Sequence, residues 1–300
     1  MGSGTFSAST FRNYSLKTKG MTLCANGKLD TKGLSAQEVF KAREIDPSLR
    51  IMGSTVRECR DSDEHPATVP VILALDVTGS MGGTSVEVAS ALGKVMTELY
   101  KSVKDVEFMI MAIGDFSYDQ APLQVSQFES DIRIAEHLDK VYFEGGGGGN
   151  YSESYTAAWL VGARHTDLDC WKRGKKGLII TIGDEQINPH LPKGNLRQLI
   201  GEPVQADVET KDLREEVRPK YDIAHIHIEH GYGSHDRLPE VRRSCEQYDV
   251  PMFVSSVDGV SDVIIRLVKE HAGSDNVATE IAVEVQAAPD VKPTDGDITW

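Results

Sequence analysis

The run VPVILAL, Val69 to Leu75, gives way to the polar loop DVTGSMGG, Asp76 to Gly83. No other stretch constrains the fold of this 300-residue chain as tightly. A continuous apolar run, without alternation, is what a strand needs when both faces of a parallel sheet are covered. The loop sets Asp76, Thr78 and Ser80 at alternate positions, so a carboxylate and two hydroxyls can converge on one hard cation. Magnesium favours such near-octahedral oxygen ligation and keeps several waters. Gly79, Gly82 and Gly83 let the backbone turn tightly. The plainer alternative is an ordinary strand-to-helix turn, with Ser or Thr capping the helix.

Beyond the loop, strand-like and helix-like segments alternate to residue 272. Periodicity predicts helices over Ser85–Lys101, Glu129–Lys140, Tyr155–Thr166, Leu238–Tyr248 and Val260–His271. It predicts strands over Val106–Ile113, Gly177–Ile182, Tyr221–Glu229 and Pro251–Val257, with a polar insertion at 194–220. Ala121–Phe128 follows the second strand too closely for a helical crossover, which makes it an antiparallel edge strand. The alternation predicts a doubly wound, Rossmann-like α/β domain over residues 67–272. Its sheet is six-stranded and mostly parallel, with one antiparallel edge strand and helices on both faces. Ligands gather outside the carboxyl ends of such strands. Asp115 and Asp184 stand at two of those ends. The run Gly145–Gly149 leads to Asn150, Ser152 and Glu153. It lacks the Gly-Lys-Ser/Thr of a phosphate loop, and a flexible linker is its plainer reading.

Residues 1–66 read as an arm and linker. FSASTFRNYSLKTKG looks extended, Ser35–Arg43 forms a short helix with a capping box at Ser35 and Glu38, and RECRDSDEHP is a solvated linker. The sharper alternative wraps that linker back near the metal loop. Residues 273–300 read as a disordered acidic tail, in which Thr279–Gln286 has strand character. A net charge of −14 excludes the basic footprint of nucleic-acid binding. Four scattered cysteines without a CxxC point to a reducing, cytoplasmic setting. No run resembles a secretory signal or a membrane span. On Tyr221–Glu229, His225, His227 and Glu229 share a face, and His230 and His235 follow. They suit zinc by type. The plainer reading is hydrogen-bonded core histidines under a covering helix. Ser234-His235-Asp236 is contiguous, and a catalytic triad is recognised by geometry, not adjacency.

The loop Asp76-Val77-Thr78-Gly79-Ser80 resembles the Asp-x-Ser/Thr-x-Ser motif of the metal-ion-dependent adhesion site (MIDAS) of von Willebrand factor A (vWA) domains. The glycine-rich loop before a helix and the acid after the third parallel strand occur in the family's order. The wider string RDSDEHP, DVTGSM, QFESD, EGGGGG, GKKG, IGDE is similar to bacterial and phage A-domain proteins. The resemblance implies a protein-binding module and not an enzyme. By that resemblance Thr78 and Ser80 are direct ligands, and Asp76 and Asp184 act mostly through water. Asn150 or Ser152 completes the sphere where the family has Thr or Asp. Asp115 and Glu153 support from outside. The implied ion is Mg²⁺, with Mn²⁺ or Ca²⁺ as alternatives. One open position takes an Asp or Glu carboxylate from a protein partner, such as an ATPase or assembly component. Two other classes stand beside this. One is a metal-dependent hydrolase or phosphotransferase, for which no base or nucleotide motif is visible. The other is a structural phage or complex component, a homo-oligomer whose site is filled by a neighbouring copy. The acidic tail is a further occupant to weigh.

Overall fold

The computed structural model describes residues 4–24, 28–30, 36–40, 42–81, 84–143 and 152–273, apart from the side chains at 36–37 and 231–235. The chain opens with α1 (Ala8–Lys19), the short α2 (Ala36–Val39) and β1 (Arg57–Cys59). Next come β2 (Val69–Asp76), α3 (Thr84–Ser90), α4 (Leu92–Leu99), β3 (Val106–Ile113), β4 (Leu123–Glu129) and α5 (Arg133–Asp139). They are followed by β5 (Ser152–Glu153), α6 (Thr156–Arg164), β6 (Thr166–Leu168), β7 (Gly177–Gly183), β8 (Gln186–Ile187) and β9 (His190–Leu191). The insertion holds α7 (Lys193–Leu199), β10 (Val208–Glu209) and α8 (Thr210–Val217). The described chain closes with β11 (Tyr221–Glu229), α9 (Gly231–Gln247), β12 (Met252–Ser256) and α10 (Val260–Gly273).

Six of these strands form the main sheet, in the order β12-β11-β7-β2-β3-β4. All neighbours are parallel except β4, which runs antiparallel to β3 at the edge. This is the doubly wound α/β architecture that the alternation of segments predicts. β4 is antiparallel because its link to β3 carries no crossover helix. The apolar run of β2 lacks alternation because each face meets its own core. Val71, Leu73 and Leu75 pack with Val95 and Leu99 of α4 and Ile264 of α10. Ile72 and Ala74 pack with Trp159 and Leu160 of α6 and Val241 of α9. Among the described residues no helix is long and apolar enough to cross a membrane.

Three segments depart from the sequence reading. The N-terminal arm is helical and not extended. Ser7 caps α1 by accepting from the Thr10 amide at 3.2 Å, and Gly20 ends it at φ 67°. Phe6 and Phe11 bury into the core beside α4, and this long-range packing outweighs the weak local pattern. The predicted helix 85–101 is two helices, with Ala91 between them. The Ser90 hydroxyl donates to the Val86 carbonyl at 2.6 Å, competing with the backbone ladder there. The charged segment after residue 56 is no free linker. β1 pairs in parallel with β6, and Arg60 forms ion pairs with Glu58, Asp167 and Asp169. The buried Arg57 guanidinium donates to the carbonyls of Ser48, Arg50 and Val125 at 2.9 to 3.0 Å. His65 faces Asp105 at 3.4 Å, just before β3, so the wrap lies at the end of the sheet opposite the loop after β2. Of the helix expected at 35–43, α2 is the described part, and Ser35 lies outside the described residues. So does the tail from 274 to 300.

Candidate metal centre

Strand pairing brings the predicted acids to one place. Asp76 pairs with Ile113 and Leu75 with Ile182, so β2, β3 and β7 end side by side. Asp115 and Asp184 follow β3 and β7 directly, at the carboxyl edge where loops of such sheets meet ligands.

Asp76 is fully buried. Its Oδ1 accepts from the Thr78 amide at 2.9 Å and the Thr78 hydroxyl at 2.6 Å. Its Oδ2 accepts from the Tyr155 hydroxyl at 2.8 Å. The Thr78 and Ser80 hydroxyl oxygens stand 3.1 Å apart. Ser80 Oγ in turn donates to Asp184 Oδ1 at 2.9 Å. A pair of hydroxyls is therefore held between carboxylates from two adjacent strands. Ser85, at the start of α3, ties the loop down by donating to the Asp76 carbonyl at 2.8 Å. The close fit requires glycine at 183: a Cβ there would overlap the Tyr155 hydroxyl and stand 2.8 Å from Asp76 Oδ2.

The segment after the glycine run reaches the same region. β5 pairs in parallel with β8, setting Ser152 beside Gln186 and Glu153 beside Ile187. Ser152 lines a polar cleft of about 460 Å³ with Asp115, Ser117, Ser154 and Asn188. Asp115 is buried in its own turn, accepting from the Ser117 amide at 2.7 Å and donating its amide to Asp119 at 2.7 Å. Asn150, the other candidate for completing the ion's sphere, lies outside the described residues, as do Gly145–Gly149, Gly82 and Gly83.

The charges are crowded. Burial, and then Asp184, push the Asp76 carboxyl up to about 7. Burial pushes Glu153 up to about 11, helped by Asp76, Asp115, Asp119 and Glu185. Burial also raises Glu185. Asp184 goes the other way. Burial opposes its charge, but hydrogen bonds from His230 and Ser80 and the charge of Arg237 hold it below the usual carboxylate range. The Oε2 atoms of Glu153 and Glu185 are buried with no hydrogen-bond partner among the described residues. Hard oxygen donors, a hydroxyl pair and a crowd of buried acids fit an oxygen-ligated divalent cation. Among the described residues no three of His, Cys, Asp and Glu group into an ion cage, so the hydroxyls are needed to complete any such site.

Three contributors escaped the sequence reading, and a fourth, His230, was marked there only as a zinc candidate. Tyr155 was visible only as a helix residue. Glu185 follows Asp184 directly, a signal that sequence offers. His230 Nε2 lies 3.1 Å from Asp184 Oδ2, and Arg237 bonds both Asp184 and Glu185. They come from the end of β11 and from α9, and nothing local marks their place beside Asp184. The β11 histidines are core residues. His225 is fully buried, its Nδ1 is 2.9 Å from Thr181 Oγ1, and its ring lies 5.0 Å from that of Tyr155. Burial holds its pKa down to about 3. His227 is equally buried. The side chains of Ser234 and His235 lie outside the described residues.

No family model and no curated protein matches the chain. Solved structures align with the chain at low identity and low overall similarity. The pilus adhesin SpaC from Lactobacillus rhamnosus GG, in its open conformation, aligns at 13% identity and TM-score 0.47, over 71% of this chain and 31% of the adhesin. The vWF domain of the type V pili tip protein Mfa5 from Porphyromonas gingivalis aligns at 9% identity and TM-score 0.43, over 71% of this chain and 98% of that domain. The SpRpn10 VWA domain aligns at 12% identity and TM-score 0.39, over 66% of this chain and 94% of that domain. The chain thus matches less than a third of the length of the adhesin. At these identities the likeness is one of overall fold, and the architecture assigned above rests on the strand order.

Proposed function

We propose that this chain is a metal-ion-dependent protein-binding module, of the intracellular bacterial and phage vWA kind, that captures a partner's carboxylate at a bound divalent cation. The reading is carried by the Thr78–Ser80 hydroxyl pair, 3.1 Å apart and held between Asp76 and Asp184. Thr78 and Ser80 would hold Mg²⁺ or Mn²⁺ directly. Asp76 and Asp184 supply negative charge around it, and Ser152 or Asn150 reaches in from the glycine-rich loop. When bound, the ion supplies a hard electrophile with a position open to one Asp or Glu oxygen. Tyr155 keeps Asp76 turned toward the loop by occupying its Oδ2, which leaves Oδ1 to the Thr78 amide and hydroxyl. Because both aspartates are already engaged by hydroxyl donors, the ion keeps more of its charge for an incoming acid. The polar cleft beside Ser152 and Asp115 gives the rest of the partner a surface to follow.

Partner capture tests the reading. The full chain, immobilised, should retain specific proteins from its own cell in Mg²⁺. It should release them in EDTA and fail to retain them when Asp76→Ala is present. Capture that survives both chelation and the substitution would rule out a metal bridge.

A further inference from the structure

Asp184 is held from both sides. Its Oδ1 accepts from Ser80, toward the hydroxyl pair. Its Oδ2 faces His230 Nε2 at 3.1 Å and Arg237 Nη1 at 3.3 Å. The same Nη1 bonds Glu185 Oε1. The Asp184 and Glu185 side chains are 2% and 7% exposed, while that of Arg237 is 33% exposed. One guanidinium nitrogen therefore sits against two consecutive buried acids, with Asp76 and Glu153 buried close behind. Buried carboxylates are tolerated only with a counter-charge. Besides the His230 ring, two sources of that charge face these acids: the divalent ion of the proposed site and the guanidinium on α9. They are not additive. Each positive charge lowers the value of the same carboxylates to the other.

We infer that Arg237 is the resident counter-cation of the site: it neutralises Asp184 and Glu185 in the ion-free protein and competes with the divalent ion for them. Arg237 is then a positioning residue that sets ion affinity. It rests on the metal reading proposed above, and it adds a determinant that the loop motif does not contain. Arginine suits the role because its guanidinium stays charged and is weakly hydrated, whereas a lysine ammonium is a compact, strongly hydrated point charge. Binding of the ion draws Asp184 into its field and weakens the Arg237 contacts, so the start of α9 is less tightly tied in the ion-bound protein.

The test is calorimetric titration of the full chain with Mn²⁺ alone, comparing the unaltered chain with Arg237→Gln and Arg237→Lys. A unit charge removed about 8 Å from a divalent ion, at an effective dielectric of about 60 for a part-exposed group, changes affinity roughly tenfold. Arg237→Gln should therefore bind Mn²⁺ about tenfold more tightly. Arg237→Lys should fall between, tighter than the unaltered chain by about two- to threefold, since it keeps the charge and loses the bridge. In EDTA, Arg237→Gln should melt below the unaltered chain and recover the difference at saturating Mn²⁺, a readout that a packing role would not move. Equal or weaker binding by a folded Arg237→Gln overturns the inference. If Arg237→Gln does not fold, Arg237→Lys decides alone, and affinity equal to that of the unaltered chain overturns it. An unaltered chain that binds no Mn²⁺ overturns the metal reading itself, and this inference with it.

Discussion

Tyr155→Phe removes one oxygen from the floor of the site and nothing else. The ring is fully buried and packs at 5.0 Å from His225, so phenylalanine fills the same space without a cavity. What is lost is the donor to Asp76 Oδ2 at 2.8 Å and the long acceptor contact to the Glu185 amide at 3.4 Å. A hydrogen bond to a charged group is worth about 1.5–3 kcal/mol and the weaker contact about 0.5 kcal/mol, so the cost is about 2–3.5 kcal/mol once Asp76 is ionised, a limit approached at pH 8. The cost depends on pH. Asp76 titrates near 7 in the folded chain, well above its value of 3.8 when unfolded. Such a raised acid favours the folded state progressively as pH falls from the folded value toward the unfolded one. Removing the Tyr155 donor raises the folded value further. The deficit of the variant is therefore full above both folded values and shrinks once Asp76 is protonated. At pH 5.5 a neutral hydrogen bond is at stake, and the deficit falls to about 1 kcal/mol. Urea unfolding of the chelated protein at the two pH values measures this. A deficit below about 0.5 kcal/mol at pH 8, or one equal at both pH values, would refute a hydrogen-bonded Tyr155–Asp76 pair.

Other outcomes follow from the same geometry. Gly183→Ala forces a methyl against the Tyr155 hydroxyl and Asp76, and should destabilise the fold by about 2–4 kcal/mol in urea unfolding, overpacking adding to a displaced hydrogen bond. Arg57→Ala leaves the carbonyls of Ser48, Arg50 and Val125 without their donor, that of Val125 in the buried interior, and should cost about 2 kcal/mol by the same assay. Divalent-ion affinity should fall about tenfold per pH unit below the Asp76 value near 7 and level off above it, as calorimetry at pH 6, 7 and 8 would show, because the ion must displace that proton. A panel of phosphoesters should show no Mn²⁺-dependent turnover that Asp76→Ala removes, and turnover of that kind would favour the hydrolase alternative.

The sheet was legible because its signal is strong and local. Val69 to Leu75 of β2 and Phe108 to Ile113 of β3 are uninterrupted apolar runs, and only strands covered on both faces tolerate them. Asp76, Thr78, Ser80 and Asp184 were legible because the chain leaves each strand at the same edge. The rest of the site depends on contacts between distant parts of the chain. Tyr155 reads as one more apolar helix residue until α6 is laid on the sheet, where its hydroxyl meets Asp76. Arg237 lies 53 residues from Asp184, and its role comes from the path of α9 across the end of β7. The N-terminal arm misled for the same reason. Its few apolar residues, Phe6 and Phe11, are too sparse to mark a helix, yet they find a prepared surface on α4. The acid-rich segment after residue 56 reads as solvated, because charge runs usually are, and its partners Asp167, Asp169 and Arg173 come from a later part of the chain.

The central claim is that the hydroxyl pair between Asp76 and Asp184 holds a divalent ion. Calorimetric titration of the full chain with Mg²⁺ and Mn²⁺ at pH 8 tests it most directly, with Ser80→Ala as the companion because it deletes a ligand oxygen and little else. The account predicts one ion per chain, bound at least about tenfold more weakly by Ser80→Ala, the loss expected when a hard cation loses an oxygen ligand. A chain that gives no binding heat with either ion, or a folded Ser80→Ala that binds as tightly as the unaltered protein, would contradict it.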